Sequence, residues 1–367
     1  MKQKAAWKTG AAAAALAVLL TGCTAGSPDT SHTDRETIKK PDKTITVINN
    51  PVAEPSKVAV GNIATVDNAR GMNFLDDNQI IYSKPNTEIS PQTVEGEQVY
   101  PNNLYLYNLT DKNGQLLVED GQNLGFTALS PDGKHLFYKM TEEATGFGRL
   151  YDMETKQSVK LDTEDPIDLN DGQWLDNSHV LVSTLFGKIL VADLTGKTTT
   201  IVEPGGILLG TAAGDGGIYY IKGGTKRELY FLADTAGAQP VKIAEGVEWV
   251  IPSPDRKQLA IVKESGDSGV RTLTVVDPQG RSLLQIAQGA QIFGTSWSPD
   301  GTKLAFNLTS EGSGDNGIIV ADALTGENTQ VLVEQAADTL AWSPSGKKLL
   351  TSTYQNDHFV TSVITFQ

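Results

Sequence analysis

One cysteine, four histidines and a surplus of carboxylates are what this chain offers for chemistry: 44 acidic residues against 30 basic ones in 367, a formal net charge of −14. A lone thiol, Cys23, can form neither an internal disulfide nor a zinc site of several thiolates. His32, His135, His179 and His358 share no ligand spacing, and His135 and His179 each open a strand-like run, where a polar residue beside a turn is ordinary. Asp168-Leu169-Asn170-Asp171-Gly172 has something of a calcium loop. It lacks the downstream glutamate and puts Gly172 at a ligand position, which excludes an EF-hand and leaves only a looser Ca2+ site open; no other cofactor is expected. Nonspecific nucleic-acid binding needs lysine and arginine to displace counterions, so the acidic balance argues against DNA or RNA as a partner. With 39 % hydrophobic and 20 % charged residues the chain can bury a core and is not a disordered one. No P-loop, Gly-x-Ser-x-Gly elbow or His-Glu-x-x-His string is present.

The surroundings of Cys23 give that thiol a purpose. Lys2, Lys4 and Lys8 precede the apolar run from Ala11 to Leu20, which has the form of an export leader and is too short to span a bilayer as a stable helix. The run ends in Leu20-Thr21-Gly22-Cys23, which resembles the lipobox of bacterial lipoprotein precursors. The resemblance implies acylation of the Cys23 thiol and cleavage before it, so residues 1–22 are a signal peptide and acyl chains on Cys23 attach the exported chain to the outer side of an envelope membrane. Loss of the three leader lysines leaves the exported chain still more acidic. Residues 23–43 read as a polar tether with a span of roughly 25 Å, and residues 44–367 as the folded domain.

That domain is a repeat. Ser130-Pro131-Asp132-Gly133, Ser253-Pro254-Asp255-Arg256, Ser298-Pro299-Asp300-Gly301 and Ser343-Pro344-Ser345-Gly346 are versions of one turn, each followed by a strand-like run. Serine accepts from the backbone, proline presets φ, and glycine supplies the positive φ that closes a hairpin. Weaker copies fill the gaps, and Phe74, Leu129, Trp174, Ala212, Pro252, Trp297 and Trp342 mark seven equivalent positions. A repeat of about 40 to 45 residues made of short strands is the period of a four-stranded propeller blade. A second register agrees: third strands end in an apolar pair and then Asn108, Asp152, Asp193, Asp234, Asp277 or Asp322, side chains suited to closing the turn that follows. Trp174, Trp297, Trp342 and, in the corresponding strand of blade five, Trp249 are expected to pack between blades. The seventh unit stops one strand short and leaves an open edge, which an N-terminal strand can fill. Lys57 to Gly61 is the favoured candidate, with Thr44 to Ile48 packed outside or idle. The fold expected is an all-β, seven-bladed propeller with repeats from about Gly71.

The Ser-Pro-Asp-Gly signature is similar to the WD40-like repeats of TolB-type propellers and of prolyl-oligopeptidase relatives. Neither TolB's N-terminal α/β domain nor a hydrolase domain has a counterpart here, so those activities do not transfer. Gly266-Asp267-Ser268-Gly269 resembles the nucleophile string of trypsin-like proteases, but it falls between two strands of blade five, where its glycines suit a loop.

In such a ring the second-to-third loops and the blade-to-blade segments share one face. Here these are the long ones, and they carry Glu142, Glu143, Asp165, Asp168, Glu264, Asp267, Glu311 and Asp315. This predicts an acidic face that recruits a basic partner surface or cations. The function expected is a protein-binding or assembly module at the cell envelope. Two alternatives stand beside it: a propeller enzyme of lactonase or hydrolase type with a divalent cation in its central channel, and a sensor lipoprotein that modulates a membrane receptor or kinase.

Overall fold

The computed structural model describes residues 35–40, 43–48, 58–142, 145–168, 171–266, 269–310, 316–333 and 335–367. Cys23 and the leader lie outside them. Two compact units divide the chain, Met1–Val52 and Ala53–Gln367. In the first, Arg35–Lys40 pairs antiparallel with Lys43–Ile48, so part of the expected tether is strand, and the Thr44 to Ile48 segment belongs to this hairpin.

The second unit is a ring of seven four-stranded antiparallel sheets. Blades 1 to 6 occupy 70–118, 123–160, 173–202, 208–245, 247–289 and 291–333. Blade 7 takes Thr339–Trp342, Lys348–Gln355 and His358–Phe366 from the C-terminus and Val60–Asp67 from the N-terminus. The closing strand thus begins three residues later than the Lys57 to Gly61 segment expected. Val60 pairs with Phe366 and Asp67 with Val360, while Gln367 N–H donates to Ala59 O and Ala69 N–H to Phe359 O. An outermost strand packs on one side only, so hydrophobic alternation marks it poorly: Val66 packs inward while Ile63 stays exposed. A short hairpin, Gln92–Val94 with Glu97–Val99, decorates the long loop of blade 1.

The turns follow their chemistry. In blade 2 the Ser130 hydroxyl donates to Asp132 Oδ1 (2.7 Å) and accepts from His135 N–H (2.9 Å), while Gly133 adopts φ 71°. Blades 5 and 6 repeat the pattern with Ser253 and Ser298. At the other tight turn Asp152, Asp193, Asp277 and Asp322 each accept backbone N–H groups of the residues that follow, so these carboxylates are structural, as expected.

Each blade is held to the next by an apolar cluster drawn from both. The blade 5–6 cluster contains Val262, Leu273, Trp297 and Phe306; that of blades 2 and 3 contains Phe137, Leu150, Trp174 and Val182. The three tryptophans of the shared register also reach a carbonyl one blade back: Trp174 Nε1 donates to Ala128 O (2.9 Å), Trp297 to Ile251 O (3.0 Å) and Trp342 to Ser296 O (3.1 Å). Each therefore buries a large ring and ties two first strands together. Trp249 does not. It sits three residues before Pro252, which occupies the shared register, and it is 41 % exposed.

Trp297→Phe removes the N–H and part of the buried ring, and is expected to cost about 1 to 2 kcal/mol. Trp297→Ala is expected to cost about 3 to 5 kcal/mol. Urea unfolding reads both, and a phenylalanine variant as stable as the wild type would show that the bond adds nothing to the blade interface.

Candidate functional site

First strands line the axis of the ring, and they share an irregularity near the face that carries the long loops. Met72, Phe126, Leu209 and Glu248 each fall unpaired between two consecutive partners on the neighbouring second strand, and in blade 6 Gly294 and Thr295 together stand opposite the single residue Phe306. A bulge bends its strand and re-aims a side chain. Phe126 takes φ 42°, uncommon for a bulky residue, and Gly294 takes φ 64°. Between the strands lies a central channel of 570 Å³ to which all seven blades contribute, with Met72, Phe126, Leu209, Trp249 and Phe293 among its walls.

Polar groups fix the mouth of this channel. Asp171 is buried, accepts from the Thr211 hydroxyl (2.8 Å) and from Gly172 N–H (3.0 Å), and has its carboxyl pushed up by burial. Lys139, fully buried in the second strand of blade 2, donates from Nζ to the carbonyls of Asp168 and Asp171, and its ammonium lies 3.9 Å from the centre of the Phe126 ring. Burial pushes that ammonium down to about 7, against the pull of Asp171 and Asp168. Asn307 stands in the same register of blade 6 and does the same work: its Oδ1 accepts from Ala337 N–H (2.7 Å) and its Nδ2 donates to Ala337 O (3.1 Å). Both side chains pin the segment that enters the next blade. Lys139 is therefore a positioning residue, sealed behind Phe126, and not an accessible nucleophile. Across the mouth Arg70 Nε meets Asp338 Oδ2 at 2.6 Å, and the guanidinium stacks 5.1 Å from the Phe359 ring.

Of the acidic residues read from the sequence, Asp165 accepts from Lys188 Nζ (2.7 Å), Asp168 is partly buried at the channel edge, and Glu264 is exposed. Glu143, Asp267, Glu311 and Asp315 lie outside the described residues, and for Glu142 only the backbone is described. The loops of blades 3 to 5 also bring cations to this face. Glu248, displaced by its bulge, is held by Arg227 and by Arg271 Nε (3.2 Å), and Glu245 by Lys226 (3.2 Å). In blades 3 to 5 the face is thus of mixed sign. Arg227 and Lys226 are legible in the short loop Gly223-Gly224-Thr225-Lys226-Arg227; the pairing of Arg227 with Glu248 depends on a bulge that no local pattern announces.

An exposed apolar strip crosses the same blades. Phe186 (69 % exposed) and Leu185 come from the loop of blade 3, Ile207 (67 %) and Leu209 from the entry to blade 4, and Trp249 from blade 5. Close backbone packing joins the blade 3 and blade 4 parts of the strip. A Cβ on Gly187 would sit 2.4 Å from Gly206 O, and Gly223 N–H donates to Ile207 O at 2.7 Å. Gly187 takes φ 82°, so only glycine suits this approach.

Three of the four histidines are described, and His32 lies outside the described residues. His179 pairs with Asp176 (2.9 Å) and His135 packs 6.2 Å from the Trp174 ring, both on the tight-turn face. His358 Nε2 meets Asp67 Oδ1 (2.8 Å) on the closing strand pair. Among the described residues no three His, Cys, Asp or Glu side chains stand together as a metal-ligand set.

Lys139 predicts a pH dependence with a definite sign. Its folded-state value lies below the ordinary 10.5, so its contribution to stability is full above that value and is lost as pH falls towards about 7. Unfolding free energy is expected to rise between about pH 7 and pH 9, below the range where the raised tyrosines Tyr82, Tyr219 and Tyr220 titrate. Lys139→Met is expected to flatten that rise while lowering stability throughout. A variant with the wild-type slope would assign the titration to another group.

No protein-family model matches the sequence, and no curated protein matches it. Solved structures do. An oligogalacturonate lyase in complex with manganese superposes with a TM-score of 0.61 at 15 % identity, covering 91 % of this chain and 96 % of that one. The oligogalacturonate lyase of Vibrio parahaemolyticus gives 0.59 at 14 % identity over 90 % and 96 %. TolB from Acinetobacter baumannii gives 0.50 at 15 % identity over 78 % and 80 %. What is shared at these identities is the architecture, and the chain is accordingly a seven-bladed β-propeller with the fold of TolB and oligogalacturonate lyase.

Proposed function

We propose that this protein is a lipid-anchored, extracytoplasmic binding module that docks a partner protein on its long-loop face, beside the channel mouth. The observation that carries the reading is the strip of Phe186, Ile207, Leu209 and Trp249, two of them more than two-thirds exposed, on a face otherwise built of polar loops. Contiguous exposed apolar surface rimmed by charge marks an interaction site, and aromatic anchors supply most of the affinity at such sites. Exposed Glu264, on a long loop of the same face, would favour a basic rim on the partner and speed encounter with it. Lipidation at Cys23 would hold the module at the membrane surface, with its N-terminal segment as the link.

Affinity capture from envelope membranes tests the docking surface. Phe186→Ala combined with Trp249→Ala is expected to reduce recovery of the bound partner more than about tenfold, as for a loss of two anchors. Glu264→Gln is expected mainly to change its salt dependence. Capture unchanged by the double substitution would refute docking at this strip. The address is tested separately: Cys23→Ala is expected to move the protein from the membrane to the soluble fraction, and a variant that stays with the membrane would refute the anchor.

A further inference from the structure

The opposite face carries a second feature, produced by an omission. Blades 2, 5, 6 and 7 join their first two strands through the Ser-Pro turn, but in blade 4 the pairing runs on to Gly214 and Gly217, leaving only Asp215 and Gly216 to turn the chain. The shorter turn leaves a cavity of 660 Å³ between the turns of blades 3 and 5. At Gly216, on its wall, an added Cβ would meet nothing within 4 Å.

Two charged groups on this cavity depart from their counterparts around the ring. Arg256 ends the Ser253-Pro254-Asp255-Arg256 turn at φ 58°, where the sister turns have Gly133, Gly301 and Gly346. Its guanidinium reaches over blade 4, donating from Nη2 to Leu175 O (2.6 Å) and at longer range from Nη1 to Gly214 O (3.5 Å). Five N–H groups are available on a guanidinium, so three remain to serve a ligand. Asp234 is the other. Asn108, Asp152, Asp193, Asp277 and Asp322 each cap the turn after their third strand, whereas the exposed Asp234 carboxylate, among the described residues, accepts no hydrogen bond from its own turn and pairs with no cation. The remaining charged pair of the wall, Asp176 and His179, satisfies itself at 2.9 Å. Leu175, Val191, Ile201, Ile218 and Leu232 supply apolar surface to the same cavity.

A cation with spare donors and an anion without a partner, set in one apolar-lined cavity and not bonded to each other, are complementary to a ligand that carries both signs. We infer that this pocket binds a small zwitterion with an aliphatic spacer, an ω-amino acid in chemical class, with its carboxylate on Arg256 and its ammonium on Asp234. This site is independent of the docking strip on the other face.

Isothermal titration of the exported chain with a series running from β-alanine to 8-aminooctanoate tests it. One chain length is expected to bind saturably, and its N-acetyl and methyl ester derivatives, each lacking one charge, at least about tenfold more weakly. Asp234→Asn removes an exposed carboxylate that caps nothing, so the variant is expected to fold and to show the same tenfold loss; Asp215→Asn, on the neighbouring hairpin and outside the cavity, is expected to bind like the wild type. Absence of saturable binding across the series up to about 10 mM, or derivatives or an Asp234→Asn variant that bind as tightly, would overturn the inference.

Discussion

A ring of sheets stands only if its last member meets its first, and here that meeting is made by strands nearly the whole domain apart. Val60–Asp67 covers the edge of His358–Phe366, and without it seven blades would end in an open strand. The junction is reinforced inside. Buried Thr361 donates to Ala69 O (2.7 Å) and accepts from Gly71 N–H (2.7 Å), and a Cβ on Gly71 would strike Thr361 and Leu350. Blade 1 therefore starts against blade 7 with no slack. Closure also fixes the channel, because Arg70 and Asp338, which join across its mouth, stand on either side of the seam.

Given closure, the remaining geometry is largely repetition, and repetition is what the sequence displays best. The Ser-Pro-Asp-Gly turns are local chemistry: a hydroxyl, a ring and a glycine act within a few residues, so their pattern survives in the bare chain. The third-strand carboxylates are legible for the same reason. Trp174, Trp297 and Trp342 were readable as interblade packing because they share a register with a strand end. Trp249 was not, since three residues of offset along a first strand exchange a blade interface for the channel.

What escaped the sequence depends on contacts between distant segments. The closing strand is poorly marked because it packs on one side. Bulges at Met72, Phe126, Leu209 and Glu248 leave no signature in composition. The acidic loops are visible, but the pairing of Asp165 with Lys188 requires the fold, as does that of first-strand Glu248 with Arg227 and Arg271. Buried Lys139 looked like any strand-end lysine, although it pins the wall of the channel.

The two faces consequently divide the labour of the ring. Tight turns on one side repeat closely in blades 2, 5, 6 and 7 and are cut to two residues at blade 4, while the long loops on the other vary freely and expose the apolar strip, as loops on a rigid scaffold can. Hydrogen–deuterium exchange of the lipidated protein on envelope membranes, compared with the same protein in detergent, bears most directly on the proposed role. Docking at the long-loop face predicts slowed exchange confined to 184–188, 205–210 and 247–250, with the tight-turn face unchanged. Unaltered exchange in those three segments, or protection centred on the tight turns, would contradict it.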